Sequence, residues 1–236
     1  MKSAEISTEG IEDENPSKFD KWLEEKFGDK LVTAVGYVSM VLGMAIALVL
    51  FVYLPALIVS PLKDVLPSAG LSLIEGFIKM CIFIGYMALT SLMPDMKRLY
   101  GYHGAEHKTI ACFESGEELK VENVRKHTRF HPRCGTSFIF LVLFISIVLS
   151  SVVTWDSLLT RVLLKLLMLP LVTAIAYELI RLAGKYDNLF TRIISWPGLR
   201  IQRLTTREPD DSMIEAAIAS IQAVLPDDLK DAEWGK

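Results

Sequence analysis

The run LVTAVGYVSMVLGMAIALVLFVYLPALIVSPL, Leu31 to Leu62, contains no charged residue. A helix rises about 1.5 Å per residue, so roughly 20 residues cross a hydrocarbon core about 30 Å thick. This run exceeds that length and reads as a membrane-spanning helix. Pro55 and Pro61 predict that the helix ends near Leu54, with a short loop after it. Outward from it lie three further apolar runs: Leu71 to Met93, Cys134 to Trp155, and residues 162–182, the last interrupted by Lys165, Glu178 and Arg181. Composition agrees: 51% of the 236 residues are hydrophobic, and the mean hydropathy of +0.36 is high for a water-soluble domain.

The expected fold is an all-α integral membrane protein. It has four transmembrane helices, a helical cytoplasmic loop domain and C-terminal amphipathic helices. The predicted parts are a cytoplasmic, largely disordered tail (1–30), a first transmembrane hairpin (31–93), a His/Cys-rich loop domain (94–136), a second hairpin (137–183) and membrane-surface and docking helices (184–236). Orientation follows from the basic residues. The tail carries Lys2, Lys18, Lys21, Lys26 and Lys30, and the central loop adds Lys97, Arg98, Lys108, Lys120, Arg125, Lys126, Arg129 and Arg133. The connections on the other side carry only Lys63 and Arg161. The positive-inside rule then puts both termini and the loop in the cytoplasm.

Several classes are excluded. A net charge of −3 gives no basic field for nucleic acid. Three cysteines, one of them (Cys81) inside an apolar run, imply no disulfide framework. The acidic start (Glu5, Glu9, Glu12, Asp13, Glu14) predicts a solvated tail without a cleavable signal peptide. Near the other end, residues 188–204 mix Phe190, Ile193, Trp196 and Ile201 with Arg192, Arg200 and Arg203. They predict a helix lying in the headgroup region, or packed on the loop domain, and broken at Pro197-Gly198. Asp211-Ser212 caps a last helix stopped by Pro226. Glu75 and Lys79, spaced i,i+4 near one end of the second span, read as an ion pair within the helix. A transport role for the intramembrane charges is disfavoured, because they sit towards helix ends.

All four histidines, His103, His107, His127 and His131, fall in the central loop with Cys112 and Cys134. Within it, His103-Gly104-Ala105-Glu106-His107 is an H-x-x-E-H pattern. Residues four apart share a helix face, so both imidazoles reach one metal ion with Glu106 beside them as general base. The rest of the ligand set stays open: His131, Cys134, Glu178, or a four-histidine site including His127. Glu178 lies about one turn from the cytoplasmic surface, with pairing to Arg181 as its alternative. Cys134 is a thiolate ligand, or a nucleophile activated by His131, with a small buried hydrophobe at the membrane boundary as the alternative. Cys112 reads as a buried hydrophobe, and Glu114 most simply as an exposed loop carboxylate, with orienting a histidine as its alternative.

The stretches Tyr102–Ile110, Val121–Arg125 and His131–Ser137, with Tyr177-Glu178 and Gln202–Pro209, resemble the YqhQ-like family of bacterial membrane proteins. The resemblance runs from about Ser60 almost to the C-terminus. It implies an uncharacterised domain labelled a predicted metal-dependent enzyme. His103, Glu106, His107, His131, Cys134 and Glu178 match the family pattern. His127 departs from it, since the family more often carries an aromatic or hydroxyl residue there. That weakens a four-histidine site.

The function expected is a membrane-embedded, metal-dependent hydrolase of metallopeptidase type, with its site at the cytoplasmic membrane face. Zn²⁺ or another divalent ion would be held by His103 and His107 with His131, Glu178 or Cys134. Glu106 and Arg133 would be catalytic, Arg133 by steadying an anionic intermediate. The alternative is a non-catalytic scaffold or regulator whose polar cluster is structural, with or without a metal. Expected partners are membrane lipids and membrane proteins or peptides, not nucleic acid, and a homo-oligomer is compatible with either function.

Overall fold

A computed structural model describes residues 34–152 and 158–225. Among these, every regular element is helical and there is no strand. The chain divides into two compact units, 1–53 and 54–236. In the first, the described residues are helical, and Val38, Met40, Val41 and Leu42 are all more than half exposed. A helix that is apolar all round is one whose solvent is lipid.

The stop expected at Leu54 does not occur. Helix α1 spans Ala34–Leu62. Val49–Tyr53 opens into a π turn that ends two residues before Pro55. Proline has no N–H to donate, and its ring crowds the carbonyl one turn back; the wider turn makes room for it. The helix finally ends in a 3₁₀ turn, Ser60–Leu62, with Pro61 in its first positions. The 1–30 tail expected from the sequence lies outside the described residues.

In the second unit, α2 (Ser68–Thr90), α3 (Pro94–Glu114), the single turn α4 (Val121–Val124), α5 (Gly135–Val152), α6 (Leu158–Lys185), α7 (Leu189–Thr205) and α8 (Asp211–Val224) follow in order. Helix α5 packs against α2, α6 and α7, while α3 packs against α4 and α8. Two cores result. Leu141 and Ile145 on α5 meet Val172, Ala176 and Ile180, which recur every fourth residue along α6. Ala105, Cys112, Val124, Ile214 and Ala217 make a second core beneath α3.

Among the described residues, three helices are long and apolar enough to cross a membrane: Ala34–Leu62, Ser68–Thr90 and Leu167–Lys185. These mark a membrane protein by length and composition. Gly135–Ser151 is apolar but shorter, and residues 153–155 of the third expected span lie outside the described residues. The pair on α2 forms as expected, with Lys79 Nζ 2.5 Å from Glu75 Oε1. It lines a cavity of about 70 Å³ with Ser72, Ser146 and Ser150, remote in sequence from the histidines.

Helix α7 corrects another expectation. It runs unbroken through Pro197 and Gly198, entered by a capping box between Asn188 and Thr191. A Cβ on Gly198 would stand 2.5 Å from Ser137 Oγ, so this glycine is where α5 comes closest rather than a break. The cap of α8 is Asp210, one residue earlier than read, accepting from Met213 N–H at 2.9 Å.

Candidate metal centre

His103, Glu106 and His107 sit at i, i+3 and i+4 of α3, so they share a face. His103 Nδ1 lies 2.8 Å from the carbonyl of Thr205, the last residue of α7. A terminal helix carbonyl has no partner within its own helix, and the imidazole supplies one. His107 Nδ1 lies 2.6 Å from the Arg129 carbonyl. A carbonyl only accepts, so both rings donate through Nδ1. In the neutral rings the lone pairs are therefore on Nε2. The ring centroids stand 4.4 Å apart at 66°.

Cys134 completes the group. It is 4% exposed, with its Sγ 3.4 Å from His103 Nε2. The sulfur also accepts from Thr136 N–H at 3.4 Å, at the start of α5, where a helix favours negative charge. Burial pushes the thiol up, but hydrogen bonds from His103 and His107 and the Thr136 N–H outweigh it and bring Cys134 down to about 5. His103 is raised, chiefly by the same hydrogen bond to Cys134 and against the effect of burial.

These residues fit a divalent metal. One donor atom from each of His103, His107 and Cys134 lies within 4.8 Å of the other two. Tetrahedral zinc, with bonds of about 2.0–2.1 Å to nitrogen and 2.3 Å to sulfur, places N and S ligands about 3.6 Å apart. The observed 3.4 Å is close to that. Carbonyls on the far nitrogens are the partners that orient metal-binding imidazoles.

The remaining expected residues divide. Glu106 is exposed beside the group. His131 is buried next to it, its ring 5.7 Å from that of His107. It is otherwise engaged: Nδ1 accepts from Arg133 N–H at 3.3 Å, and Nε2 stands 3.5 Å from Glu114 Oε2. Burial pushes His131 down. Arg133 is ion-paired with Glu114. Glu178 is not brought in. It is exposed on α6, 3.0 Å from Arg181, the alternative left open by the sequence. His127 does not make a four-histidine site; its Nε2 is 3.4 Å from Glu117 Oε1, with Cys112 close by.

Sequence reasoning missed what holds the thiolate in place. Gln202, fully buried on α7, accepts from His131 N–H at 2.9 Å and donates to the His131 carbonyl at 2.7 Å and to Ser137 Oγ at 2.8 Å. It pins the His131–Cys134 loop at both sides. A lone glutamine among arginines reads as a solvated face, and only the likeness of the Gln202–Pro209 tail to the family signals it. Gln202→Leu leaves those backbone groups buried without partners. Its expected cost is about 3 kcal/mol, read as a lower melting temperature of the purified protein.

The family model described as "Protein of unknown function (DUF1385)" matches residues 1–227. The chain is 37% identical over 153 residues to "Uncharacterized protein YqhQ" of Bacillus subtilis (strain 168), an alignment covering 64% of this chain and 48% of that protein. The chain thus spans about half the length of this curated relative. No solved structure matches.

Proposed function

The chain belongs to the DUF1385 family of unknown function, and we propose its activity from the site itself: a membrane-embedded, metal-dependent hydrolase. The observation that carries this reading is the pair of backbone carbonyls, Thr205 and Arg129, that fix both imidazoles through Nδ1, with His103 Nε2 facing the Cys134 sulfur. Three protein ligands leave a position open, the pattern of catalytic rather than structural zinc sites. Zn²⁺ suits two imidazoles and a thiolate. Two neutral histidines and one thiolate leave a divalent ion with a net charge of about +1, which attracts hydroxide or an anionic group.

His103, His107 and Cys134 would hold a divalent metal, the histidines oriented by their carbonyls, and the metal would supply Lewis acidity. Glu106, one turn from His103 and open to solvent, takes the proton from the attacking water. Arg133 is held by Glu114, so its part is to position the His131–Cys134 loop. A peptide near the membrane is the substrate class, by analogy with inverted-motif metallopeptidases. In this reading α5 serves as a fourth span. The central loop faces the cytoplasm of a bacterial inner membrane, and α7 lies at the lipid surface. Its exposed Leu189, Phe190, Ile193 and Trp196 support that placement.

The test is Glu106→Gln in zinc-loaded, detergent-solubilised protein assayed against a quenched peptide library. Metal content should stay as in the wild type, and turnover should fall about a hundredfold or more. Unchanged cleavage with metal retained removes Glu106 as base. Cleavage of no peptide by the wild type removes the peptidase assignment.

A second reading has its own support. Gln202, His131, Arg133 and Glu114 form a closed network joining α3, α5 and α7. A cluster of that kind suits a scaffold or regulator of other membrane proteins. Metal bound with a fourth protein ligand, giving a filled shell by X-ray absorption, would favour it over catalysis.

A further inference from the structure

Helix α3 ends in a Schellman motif that folds the chain back over its own last turn. Gly116 takes φ 76°, Gly116 N–H donates to the Phe113 carbonyl, and Glu117 N–H to the Cys112 carbonyl at 3.3 Å. Glycine is the residue that adopts this left-handed position without a Cβ penalty. The motif carries Glu117 back to Cys112, and the turn after α4 brings His127 to the same place.

One donor atom from each of Cys112, Glu117 and His127 lies within 4.8 Å of the other two, and His127 Nε2 stands 3.4 Å from Glu117 Oε1. Cys112 is fully buried, and its thiol has only long contacts, 3.8 and 4.0 Å, to the carbonyls of Glu118 and Glu117. His127 Nε2 is buried without a hydrogen bond, although Glu117 Oε1 stands 3.4 Å away. An orphaned buried nitrogen is costly, and few native structures keep one without a ligand or water to satisfy it. A cation satisfies it.

We infer that Cys112, Glu117 and His127 form a second divalent-metal site, independent of the His103–His107–Cys134 group. Sulfur, nitrogen and oxygen donors together suit Zn²⁺. The charges close: a thiolate, a carboxylate and a neutral imidazole balance a divalent ion, as a partly buried site requires. Glu117 is 45% exposed, so the ion enters from solvent without opening the core. The site acts as a clasp between the end of α3 and the loop after α4. Two residues beyond His127, that loop presents the Arg129 carbonyl to His107.

The test is elemental analysis of the full chain in detergent, loaded with zinc and desalted. The wild type should carry about two zinc ions per chain, and Glu117→Gln, Cys112→Ser and Cys134→Ala about one each. Glu117 is at the surface, so its variant keeps the fold where Cys112→Ser fails to. A wild type carrying about one zinc that Cys134→Ala removes, or none, overturns the second site; so does a content of two that Glu117→Gln and Cys112→Ser leave intact. A single zinc lost with Glu117→Gln but kept by Cys134→Ala supports the clasp and sinks the hydrolytic centre instead.

Discussion

Cys134→Ala should weaken zinc binding at the His103–His107 site by about two to three orders of magnitude while the helices stay folded. Structural zinc binding is worth about 10–16 kcal/mol across four ligands, so one thiolate contributes roughly 3–4 kcal/mol. The measurement is competition with a chromophoric chelator, in a His127→Gln background so that this site alone is titrated. Zinc should also raise the melting temperature of the parent and not of the Cys134→Ala protein, because a ligand stabilises only the state that binds it. A buried thiol with no metal role behaves differently. Its removal costs about 1 kcal/mol of packing and leaves zinc affinity as it was. Affinities within about threefold of each other, roughly 0.7 kcal/mol, would reduce Cys134 to a hydrophobe.

Helices and histidines were legible for different reasons. An uncharged run such as Leu31–Leu62 has one physical meaning, because lipid demands that the backbone bond to itself. Where α1 ends was not legible. Pro55 is a stop signal in water, and the π turn at Val49–Tyr53 that accommodates it has no compositional mark. The same holds for Pro197-Gly198, where a glycine needed for close packing against Ser137 looked like a hinge. The i,i+4 spacing of His103 and His107 was enough to put the two rings on one face, since it depends on helix geometry alone. Which of the candidates His131, Cys134 and Glu178 comes to His103 was not readable, because the position of Cys134 depends on Gln202, 68 residues later in the chain. Glu178 shows the limit of arguing from depth. Ala176 and Ile180 face α5, and a residue two places from Ala176 is turned by about 200°. That points Glu178 away, towards Arg181. His127 and His131 repeat the spacing of the first pair yet serve two different clusters, because His131 is tied to Gln202 and His127 to the turn at Gly116.

Gly104→Ala is expected to damage both fold and site, although it adds one methyl group at a position between the two ligands. A Cβ at Gly104 would stand 2.0 Å from the Arg207 carbonyl oxygen. That oxygen belongs to backbone held by Arg207 N–H donating to Tyr100 O at 2.7 Å. It follows directly on the Thr205 and Thr206 carbonyls, which accept from His103 and Arg129. Backbone tied down on both sides cannot rotate away as a side chain can. Overpacking costs about 1–3 kcal/mol, and the hydrogen bonds lost as the segment moves add about 1 kcal/mol each, so the sum is about 4 kcal/mol. For a domain of this size that is a fall of roughly 10 °C in melting temperature. Zinc affinity should fall too, by about ten- to a hundredfold, because His103 loses the carbonyl that orients it. Gly101→Ala is the control. Its Cβ would meet Met213 Sδ at 2.6 Å, but a thioether end swings aside cheaply, and the expected loss is below about 1.5 kcal/mol. A Gly104→Ala protein that melts with the wild type, or a Gly101→Ala protein that suffers more, would mean that the α7–α8 connection does not brace His103.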